Sequence, residues 1–489
     1  MTTKLTNILI GVLLIFLPIS NFLGQIGTNI LGLPIYSLLW KELIVGIIIL
    51  VMVFDIIKKI FETIFRRFVE KLINKTTIKK ENSLKEFLPI ILYLIIIGFI
   101  LFSSITNRVP LNQFWLGFRF ELFWVGFLVV CMTWVNFGYS LSLKKLKPAL
   151  DLGFVLLNII IASSLYFGAD KFYSRFGYSS GWSSINNLIL ESPLCHSIDS
   201  VGGGCRLSGG FNNPNHLAGY LLLVIPIFLY YIFDSKNSIL IRIINLIFVI
   251  LALGFGFLTY ARYAFVAVIV IILLVILKQV FKNNYLIKAI VTVFLLLNLI
   301  VLNIGIKPQI LEKLPSYLAK SQSTLDHYRY TNLTLDIIVR DFPSNIALGY
   351  GLGQAGTAAK PQYQKDILQS PIVLKNQDLA KKYNLPAHQL PNPENWFLQV
   401  IQNGGILYGI VYMLIILMSL QGLFREEKIY GTSNQDYIEL TFDNNTKLAF
   451  YVSLGLLTIV FGNTGLHIWE SSVIALLYPI IYLFANDKS

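Results

Sequence analysis

Long apolar runs separated by short polar turns fill most of the 489-residue chain. A run of about 20 apolar residues is long enough to cross a ~30 Å hydrocarbon layer as a helix. Because a backbone in hydrocarbon has to satisfy its own hydrogen bonds, continuous runs predict helices, unlike the short alternating segments of a membrane β-barrel. The pattern predicts about twelve transmembrane helices, near residues 7–24, 34–57, 87–104, 119–139, 149–167, 213–233, 241–259, 262–281, 286–304, 396–420, 447–465 and 468–485.

The predicted fold class is therefore an all-α integral membrane protein. An even number of spans places both termini on one side, and lysines in short loops after the second, fourth and eighth spans favour the cytoplasm for that side. A medium loop, 168–211, and a long loop, 305–395, then lie outside the cytoplasm. The first apolar segment lacks a small-residue cleavage site, so we expect a retained span and not a signal peptide.

The same pattern divides the chain into four regions. Residues 1–148 hold the N-terminal spans, 149–304 a transmembrane core, 305–395 the long loop and 396–489 the C-terminal spans. Within the first region, apolar and basic residues occupy opposite faces of a predicted cytoplasmic helix at 58–80. This helix is either interfacial, lying on anionic lipid, or a solvated extension of the second span.

The formal net charge is +13, although charged residues make up only 13% of the chain. Basic cytoplasmic loops explain this charge, and no basic soluble domain remains to bind nucleic acid. We therefore exclude nucleic acid as a partner and expect the lipid bilayer to be one.

Three cysteines and five histidines are scattered along the sequence. Cys195 and Cys205 flank a short glycine-containing stretch, and they could form a disulfide in an oxidising compartment or remain reduced. Cys131 lies alone within a predicted span. Because these residues lack the spacing of metal ligands, we expect neither a metal site nor a metal cofactor.

A first candidate motif is RLSGGFNNPNHLAGY, Arg206 to Tyr220, which leads into the sixth span. A helix that starts near Pro214 presents unpaired N–H groups and a positive dipole end, and the planar Arg206 side chain suits phosphate oxygens. Asn215 lies in the same motif and is a weaker candidate contact. The alternative is an ordinary helix start capped by Asn212 or Asn213, with a snorkelling arginine.

The second motif is LTYARYAFVAV, where Arg262 lies at the turn of a hairpin on the outer membrane surface. Arginines are disfavoured in short external loops, so an anionic partner such as a diphosphate is the favoured explanation, with snorkelling as the alternative. Arg206 and Arg262 are predicted to share one leaflet.

The long external loop carries the third motif. Apolar spacing from Leu325 to Ile338 predicts a helix that Pro343 ends, and Arg329 lies within it. Four glycines between Gly349 and Gly356 predict a turn, which either approaches a ligand closely or is purely structural. No βαβ pattern surrounds them, so they are not a dinucleotide fingerprint.

Polar groups cluster where the long loop meets the next span, in HQLPNPENWFLQVIQNGG. His388, Glu394 and Asn395 at a membrane edge indicate function. Trp396 is interpreted as an interface anchor. His467, near the outer end of the last hairpin, could face the same cavity or lie at the interface. Lys41 could meet a lipid phosphate, or it could pair with its neighbour Glu42.

These motifs, in this order, resemble the superfamily of O-antigen ligases and O-antigen polymerases, and the resemblance covers roughly residues 149–481. It rests on RLSGGFNNPNHLAGY, TYARYAF, the progression from DHYR to DFP to GYGLG, and PENWFLQVIQNGGILYG. The resemblance implies a GT-C-like fold in the bacterial inner membrane and transfer from a polyprenyl diphosphate-linked glycan to an acceptor glycan or glycolipid. It also implies that Arg206 and Arg262 hold the diphosphate, with neither metal nor nucleotide as cofactor.

One position departs from the family pattern, since Glu394 stands where many ligases have the catalytic histidine. Glu394 and His388 are therefore rival candidates for the base that deprotonates the acceptor hydroxyl. A glutamate would need its pKa raised above the ordinary ~4.3 to be effective. Arg329 and the glycine turn would help to position donor or acceptor.

Two questions remain open at the level of sequence. Ligase and polymerase activities are not distinguished, because these motifs do not specify the acceptor. A transporter of an anion or lipid-linked sugar is the alternative class, although the sequence shows no clear internal repeat.

Overall fold

The structure is a computed structural model that describes residues 2–34, 39–73, 83–177, 183–185, 188–190, 196–197, 205–211, 213–280, 322–340, 347–359, 368, 370–387, 390, 393, 395–424, 444–463, 469 and 471–487. Its α-helices are α1 Thr2–Phe16, α2 Ser20–Gln25, α3 Trp40–Ile73, α4 Ser83–Thr106, α5 Leu111–Gly117, α6 Phe123–Asn136, α7 Leu143–Phe167, α8 Ala169–Ser174, α9 Pro214–Phe233, α10 Ile239–Leu258, α11 Arg262–Val280, α12 Gln322–Arg340, α13 Pro371–Lys382, α14 Trp396–Ser419, α15 Asn444–Gly462 and α16 Ser472–Phe484.

Short elements of other types join these helices. Two π turns span Ile26–Ile30 and Phe118–Leu122, and 3₁₀ turns span Leu17–Ile19, Thr357–Ala359 and Gln421–Phe424. The strands β1 Ser183–Ile185 and β2 Leu188–Leu190 form one antiparallel pair, and β3 His196–Ser197 and β4 Cys205–Arg206 form another. In the second pair Ser197 is the partner of Cys205 and His196 of Arg206.

Seven helical stretches of the described chain are long and apolar enough to cross a membrane: Lys4–Ile30, Lys85–Thr106, Leu111–Asn136, Leu143–Phe167, Pro214–Phe233, Ile239–Leu258 and Trp396–Ser419. Shorter apolar helices are Val266–Leu277, Thr446–Val460 and Ser472–Phe484. The all-α class is thus confirmed with a multi-pass pattern. Twelve spans stay a prediction, because the predicted span 286–304 lies outside the described residues.

The helices pack into a bundle in which α9 contacts α10 and α15, α14 contacts α4, and α1 contacts α7. Small residues allow two of these approaches. A Cβ at Gly153 of α7 would overlap the Leu14 carbonyl of α1, and one at Gly455 of α15 would lie 3.0 Å from the Leu223 carbonyl oxygen of α9. Close backbone approach at small residues is how membrane helices gain packing energy without a hydrophobic driving force.

Helix α3 continues without interruption to Ile73, so the described part of the predicted amphipathic segment prolongs the second span. This is the arrangement expected of an extension. Phe61, Ile64 and Phe65 are exposed on it. Residues 74–80 of the segment lie outside the description.

Part of the long loop has a small hydrophobic core of its own. Leu333 and Ile337 of α12 lie in it with Ile372 and Val373 of α13. Helix α12 confirms the helix predicted from apolar spacing, with these two residues on its buried face.

Candidate active site

Two polar clusters lie at the same end of the helix bundle. Helices α9 and α15 are antiparallel, because Leu223 lies beside Gly455 while Tyr230 stacks edge-on against Tyr451, ring centroids 6.0 Å apart. At a rise of 1.5 Å per residue, the start of α9 and the end of α15 are both about 10–14 Å from the first of these contacts. The Arg206 motif, which precedes α9, therefore lies at the same height along the bundle as the residues that follow α15.

Arg206 is fixed by two acceptors. Its Nε donates to the Thr259 carbonyl oxygen at 2.8 Å, and its Nη2 donates to the Asn215 Oδ1 at 2.9 Å. The hydroxyl of Tyr263 donates to the Asn215 carbonyl at 2.6 Å. These bonds hold the plane of the guanidinium at the start of α9, so Arg206 is positioned by the protein and is not a freely snorkelling side chain. Asn215 serves here to orient Arg206.

The start of α9 is capped as the alternative interpretation of the motif predicts. The Asn213 side chain accepts the backbone N–H of Asn215 at 2.8 Å, and Pro214 occupies the first turn. Gly209 and Gly210 both have positive φ, 59° and 85°, which a glycine adopts without strain. The Arg206 side chain, which precedes this turn, binds the carbonyl of Thr259 at the end of α10.

Arg262 is the first residue of α11, three positions after the Thr259 carbonyl that binds Arg206. The turn between them contains Tyr260 at a positive φ of 49°, an unusual conformation for a bulky residue. The structure therefore brings the backbone of Arg262 close to Arg206, Asn215, Thr259 and Tyr263, together called the Arg206 cluster below.

The second cluster surrounds the start of α14. The Asn395 Oδ1 accepts the backbone N–H groups of Phe397 and Leu398 at 2.9 and 3.1 Å, which makes Asn395 the N-cap. The Trp396 N–H donates to the Asn463 carbonyl at 3.1 Å, just after α15 ends. Asn395 is 2% exposed.

The prediction that Trp396 is an interface anchor is wrong. Its side chain is fully buried, its Nε1 donates to the Tyr412 hydroxyl at 3.2 Å, and its ring packs edge-on against Trp469. A tryptophan at a helix end resembles an anchor in sequence, but here neighbouring helices cover both the ring and its N–H.

Helix α14 is broken at Gly405, whose φ of 86° and ψ of 176° are not helical. The break leaves carbonyl groups of the preceding turn without their usual helical donors. Tyr350 and Gly351 supply donors instead, with N–H groups 2.7 Å from the Gln402 carbonyl and 2.8 Å from the Asn403 carbonyl. The segment from Gly349 to Ala359, called the glycine loop below, therefore docks into a broken helix.

The glycines of this loop are required for its backbone conformation and for its packing against neighbouring helices. Gly349, Gly351, Gly353 and Gly356 all have positive φ and are buried. A Cβ at Gly349 would overlap the Asn403 carbonyl, and one at Gly356 would overlap the Gln399 side chain. The sequence left open whether this turn approaches a ligand closely or is purely structural. The described close contacts are with neighbouring helices, as in a structural turn.

Side chains from α4, from α5 and from the turn between them form further hydrogen bonds with the glycine loop. The Gln113 side-chain amide donates to the Gly353 carbonyl at 2.6 Å and also to Ala358, and the Leu352 N–H donates to the Ser104 Oγ at 3.0 Å. The Asn107 amide donates to the Gly349 carbonyl at 3.1 Å. The loop is thus bonded to three helices, α4, α5 and α14.

Glu121 is a buried carboxylate that the sequence analysis missed. It is 1% exposed and accepts three side-chain hydrogen bonds, from the Tyr408 hydroxyl at 2.6 Å and from the Asn403 and Gln399 amides at 2.7 and 3.2 Å. The signal available was a lone acid inside an apolar run, FRFELFWVGF, which is unusual at membrane depth.

Lys41 and Glu42 interact electrostatically, and Glu42 also forms an ion pair with Arg119. Glu42 accepts a hydrogen bond from the Arg119 Nη2 at 2.9 Å, whereas Lys41 is 7% exposed. Glu42 and Arg119 line a small recess whose other walls include Trp124, Trp469 and Ser472.

Several predicted site residues lie outside the described part of the chain. His388, Glu394, His467 and Cys195 are among them, so the base and the disulfide stay predictions. Arg329 is half-buried on α12, a helix that contacts α14. Within the described residues no group of three His, Cys, Asp or Glu side chains could hold a metal ion.

Comparison with known protein families gives a match for part of the chain. Residues 246–413 match the model of the O-antigen ligase family. The match includes Arg262, the glycine loop and the first segment of α14, and it confirms the resemblance to O-antigen ligases and polymerases. No curated protein and no solved structure matches the chain.

Proposed function

We propose, from the match of residues 246–413 to the O-antigen ligase family, that the chain is a membrane glycosyltransferase that moves an oligosaccharide from a polyprenyl diphosphate donor to an acceptor glycan or glycolipid. The reaction forms a bond between the acceptor oxygen and the anomeric carbon. The bond from that carbon to the diphosphate breaks, and the lipid diphosphate leaves. The bacterial inner membrane, with the site on its outer leaflet, is the proposed location.

The single observation that carries this proposal is the fixed position of Arg206 beside the turn that bears Arg262. A leaving diphosphate develops negative charge, and cationic donors held in place stabilise it without reorganising during the reaction. Arg206 and Arg262 are assigned that role. Asn215 acts in this proposal by orienting Arg206.

The acceptor hydroxyl has to lose a proton as it attacks. Glu394 or His388 is proposed as the base, and both precede Asn395, the cap of α14, in the sequence. Arg329, on a helix that contacts α14, is proposed as a further contact for donor or acceptor. Lys41 and His467 remain weaker candidates for substrate contact.

Reconstitution of the purified protein in liposomes with a purified polyprenyl diphosphate-linked oligosaccharide tests the proposal. Longer lipid-linked chains would identify a polymerase, and transfer to a different added acceptor would identify a ligase. Movement of intact donor between leaflets without transfer would support the transporter class and refute the proposal.

A further inference from the structure

We propose that Glu121 is a positioning residue for the transferase site. It holds the glycine loop and the first segment of α14, Trp396–Gly404, in their working arrangement, and it acts on substrate only through them. This inference rests on the proposed function. Glu121 itself lies outside the segment that matches the ligase family, whereas the side chains that it binds lie inside it.

Glu121 does not contact substrate directly, because its side chain is almost completely buried. Its carboxylate instead joins the two sides of the helix break at Gly405. Asn403 precedes the break and Tyr408 follows it, and both donate to Glu121, at 2.7 and 2.6 Å. The Tyr412 hydroxyl, one turn later, lies 3.4 Å from the Glu121 backbone carbonyl. A single residue therefore fixes how the two segments of α14 stand relative to each other.

Asn403 passes this constraint to the glycine loop. Its Oδ1 accepts the Ala355 N–H at 2.8 Å, and its backbone carbonyl accepts the Gly351 N–H at 2.8 Å. The same Asn403 side-chain amide that binds Glu121 thus orients the acceptor for the loop. If Glu121 is removed, the Asn403 amide keeps only its longer, 3.4 Å hydrogen bond to the Ala355 carbonyl, and the glycine loop is held less firmly.

The π turn Phe118–Leu122 provides the fixed base for this arrangement. From one turn, Arg119 reaches Glu42 of α3, and Glu121 reaches α14. A π turn inserts an extra residue into helical geometry and occurs frequently at functional sites. Here it lets residues two apart bind different helices.

The described hydrogen-bond partners of the Glu121 carboxylate are neutral side chains, so its shape and acceptors matter more than its charge. A glutamine can direct its oxygen to Gln399 and Asn403 and its amide N–H to the Tyr408 hydroxyl, which can also accept. Glu121→Gln should therefore preserve the arrangement, whereas Glu121→Leu should release it. Glu62→Leu removes an exposed carboxylate of α3, away from the glycine loop, and serves as the matched control.

Labelling of an introduced cysteine tests the inference separately from activity. Ala355→Cys places a thiol on the buried face of the glycine loop, in a chain with Cys195→Ser and Cys205→Ser; the remaining Cys131 is buried. A membrane-impermeant maleimide should label it at least about tenfold faster in Glu121→Leu, because loss of buried hydrogen bonds favours local opening. In Glu121→Gln and Glu62→Leu the rate should stay within about twofold of the parent.

Transfer kinetics supply the second measurement. Glu121→Leu should lower kcat at least about tenfold while the donor KM stays within about twofold, since the Arg206 cluster is untouched. The Glu121→Gln variant should have the same kcat as the parent. Unchanged labelling in Glu121→Leu would overturn the inference, and so would faster labelling with normal transfer. A parent chain that shows no transfer at all would refute the proposed function, while the labelling would still decide whether Glu121 holds the loop.

Tyr408→Phe provides a milder variant in case Glu121→Leu does not fold. It removes one of the three donors to Glu121 and should raise labelling of the thiol introduced by Ala355→Cys about threefold. A labelling rate equal to that of the parent would contradict the role of Glu121 across the helix break.

Discussion

The side-chain amide of Asn403 donates to the carboxylate of Glu121 at 2.7 Å, across a sequence separation of 282 residues. This bond joins the π turn that precedes α6 to the helix that follows the long loop. The break at Gly405, the glycine loop and the Asn395 cap all belong to segments that contact or contain Asn403. The candidate site is therefore held together by polar contacts that are distant in sequence.

Gly356→Ala should destabilise the protein. Gly356 has a φ of 80°, and a Cβ there would overlap the Gln399 side chain. The backbone strain alone is expected to cost about 1–3 kcal/mol. Thermal unfolding in detergent, followed by tryptophan fluorescence, should show a lower midpoint than for the parent.

Gly254→Ala is the matched control for Gly356→Ala. Gly254 lies on α10, and nothing lies within 4 Å of a Cβ built there. Alanine in a helix is favoured over glycine by about 0.5–1 kcal/mol, so the midpoint should stay the same or rise. Equal losses in both variants would contradict the docked arrangement of the glycine loop.

Substitutions of Asn395 can distinguish a role in capping helix α14 from a role in contacting substrate. Asn395→Ala removes the acceptor for the Phe397 and Leu398 N–H groups and should cost about 1 kcal/mol of stability. Asn395→Asp keeps a capping oxygen and should retain both stability and transfer. A stable Asn395→Asp protein without transfer would show instead that the Asn395 amide contacts substrate.

The features that could be predicted from the sequence are those that depend on residues close to each other in the chain. The Asn213 cap and helix α12 follow from residues within a few positions of each other, and apolar run length predicts the spans. Glu121 could not be interpreted, because its partners Gln399 and Asn403 are far away in the chain. Trp396 was misassigned for the same reason, since the Trp469 ring that covers it belongs to another hairpin.

The contact between α12 and α13 should weaken in acid. Burial opposes ionisation of Asp336, but hydrogen bonds from the Lys382 ammonium and the Tyr383 hydroxyl, each 2.7 Å long, outweigh it and leave the Asp336 pKa below its ordinary value. A carboxyl group whose pKa is lowered by folding stabilises the folded state at pH values above its unfolded-state pKa of about 3.9. This stabilisation is lost as the pH falls through the lower pKa of the folded state. The loss is therefore expected below about pH 4.

Spin labels at Val339→Cys and Leu374→Cys, both exposed positions, can report this change in the chain lacking Cys195 and Cys205. The distance distribution should be narrow at pH 7 and broad near pH 3. Asp336→Asn should broaden it at pH 7 as well. A distribution that is narrow at both pH values would show that the Asp336 contacts do not hold the two helices together.

Separate Glu394→Gln and His388→Ala variants should identify the base. Whichever residue accepts the proton, its variant should lose at least about 100-fold in kcat, because general base catalysis contributes on this order. The other variant should keep most of its activity. Full transfer by both would exclude both residues from this role.

The most direct test compares glycan transfer by Arg206→Ala and Arg262→Ala with that by the parent, in liposomes supplied with polyprenyl diphosphate-linked oligosaccharide. Arg242→Ala is the matched control, since Arg242 lies in the first turn of α10 and binds the Ser235 carbonyl at 2.7 Å, away from the site. Loss of each site arginine should lower transfer at least about 100-fold, as expected for groups that stabilise a leaving group's charge. Arg242→Ala should transfer at the parent rate. Undiminished transfer by both Arg206→Ala and Arg262→Ala would contradict the proposed diphosphate site.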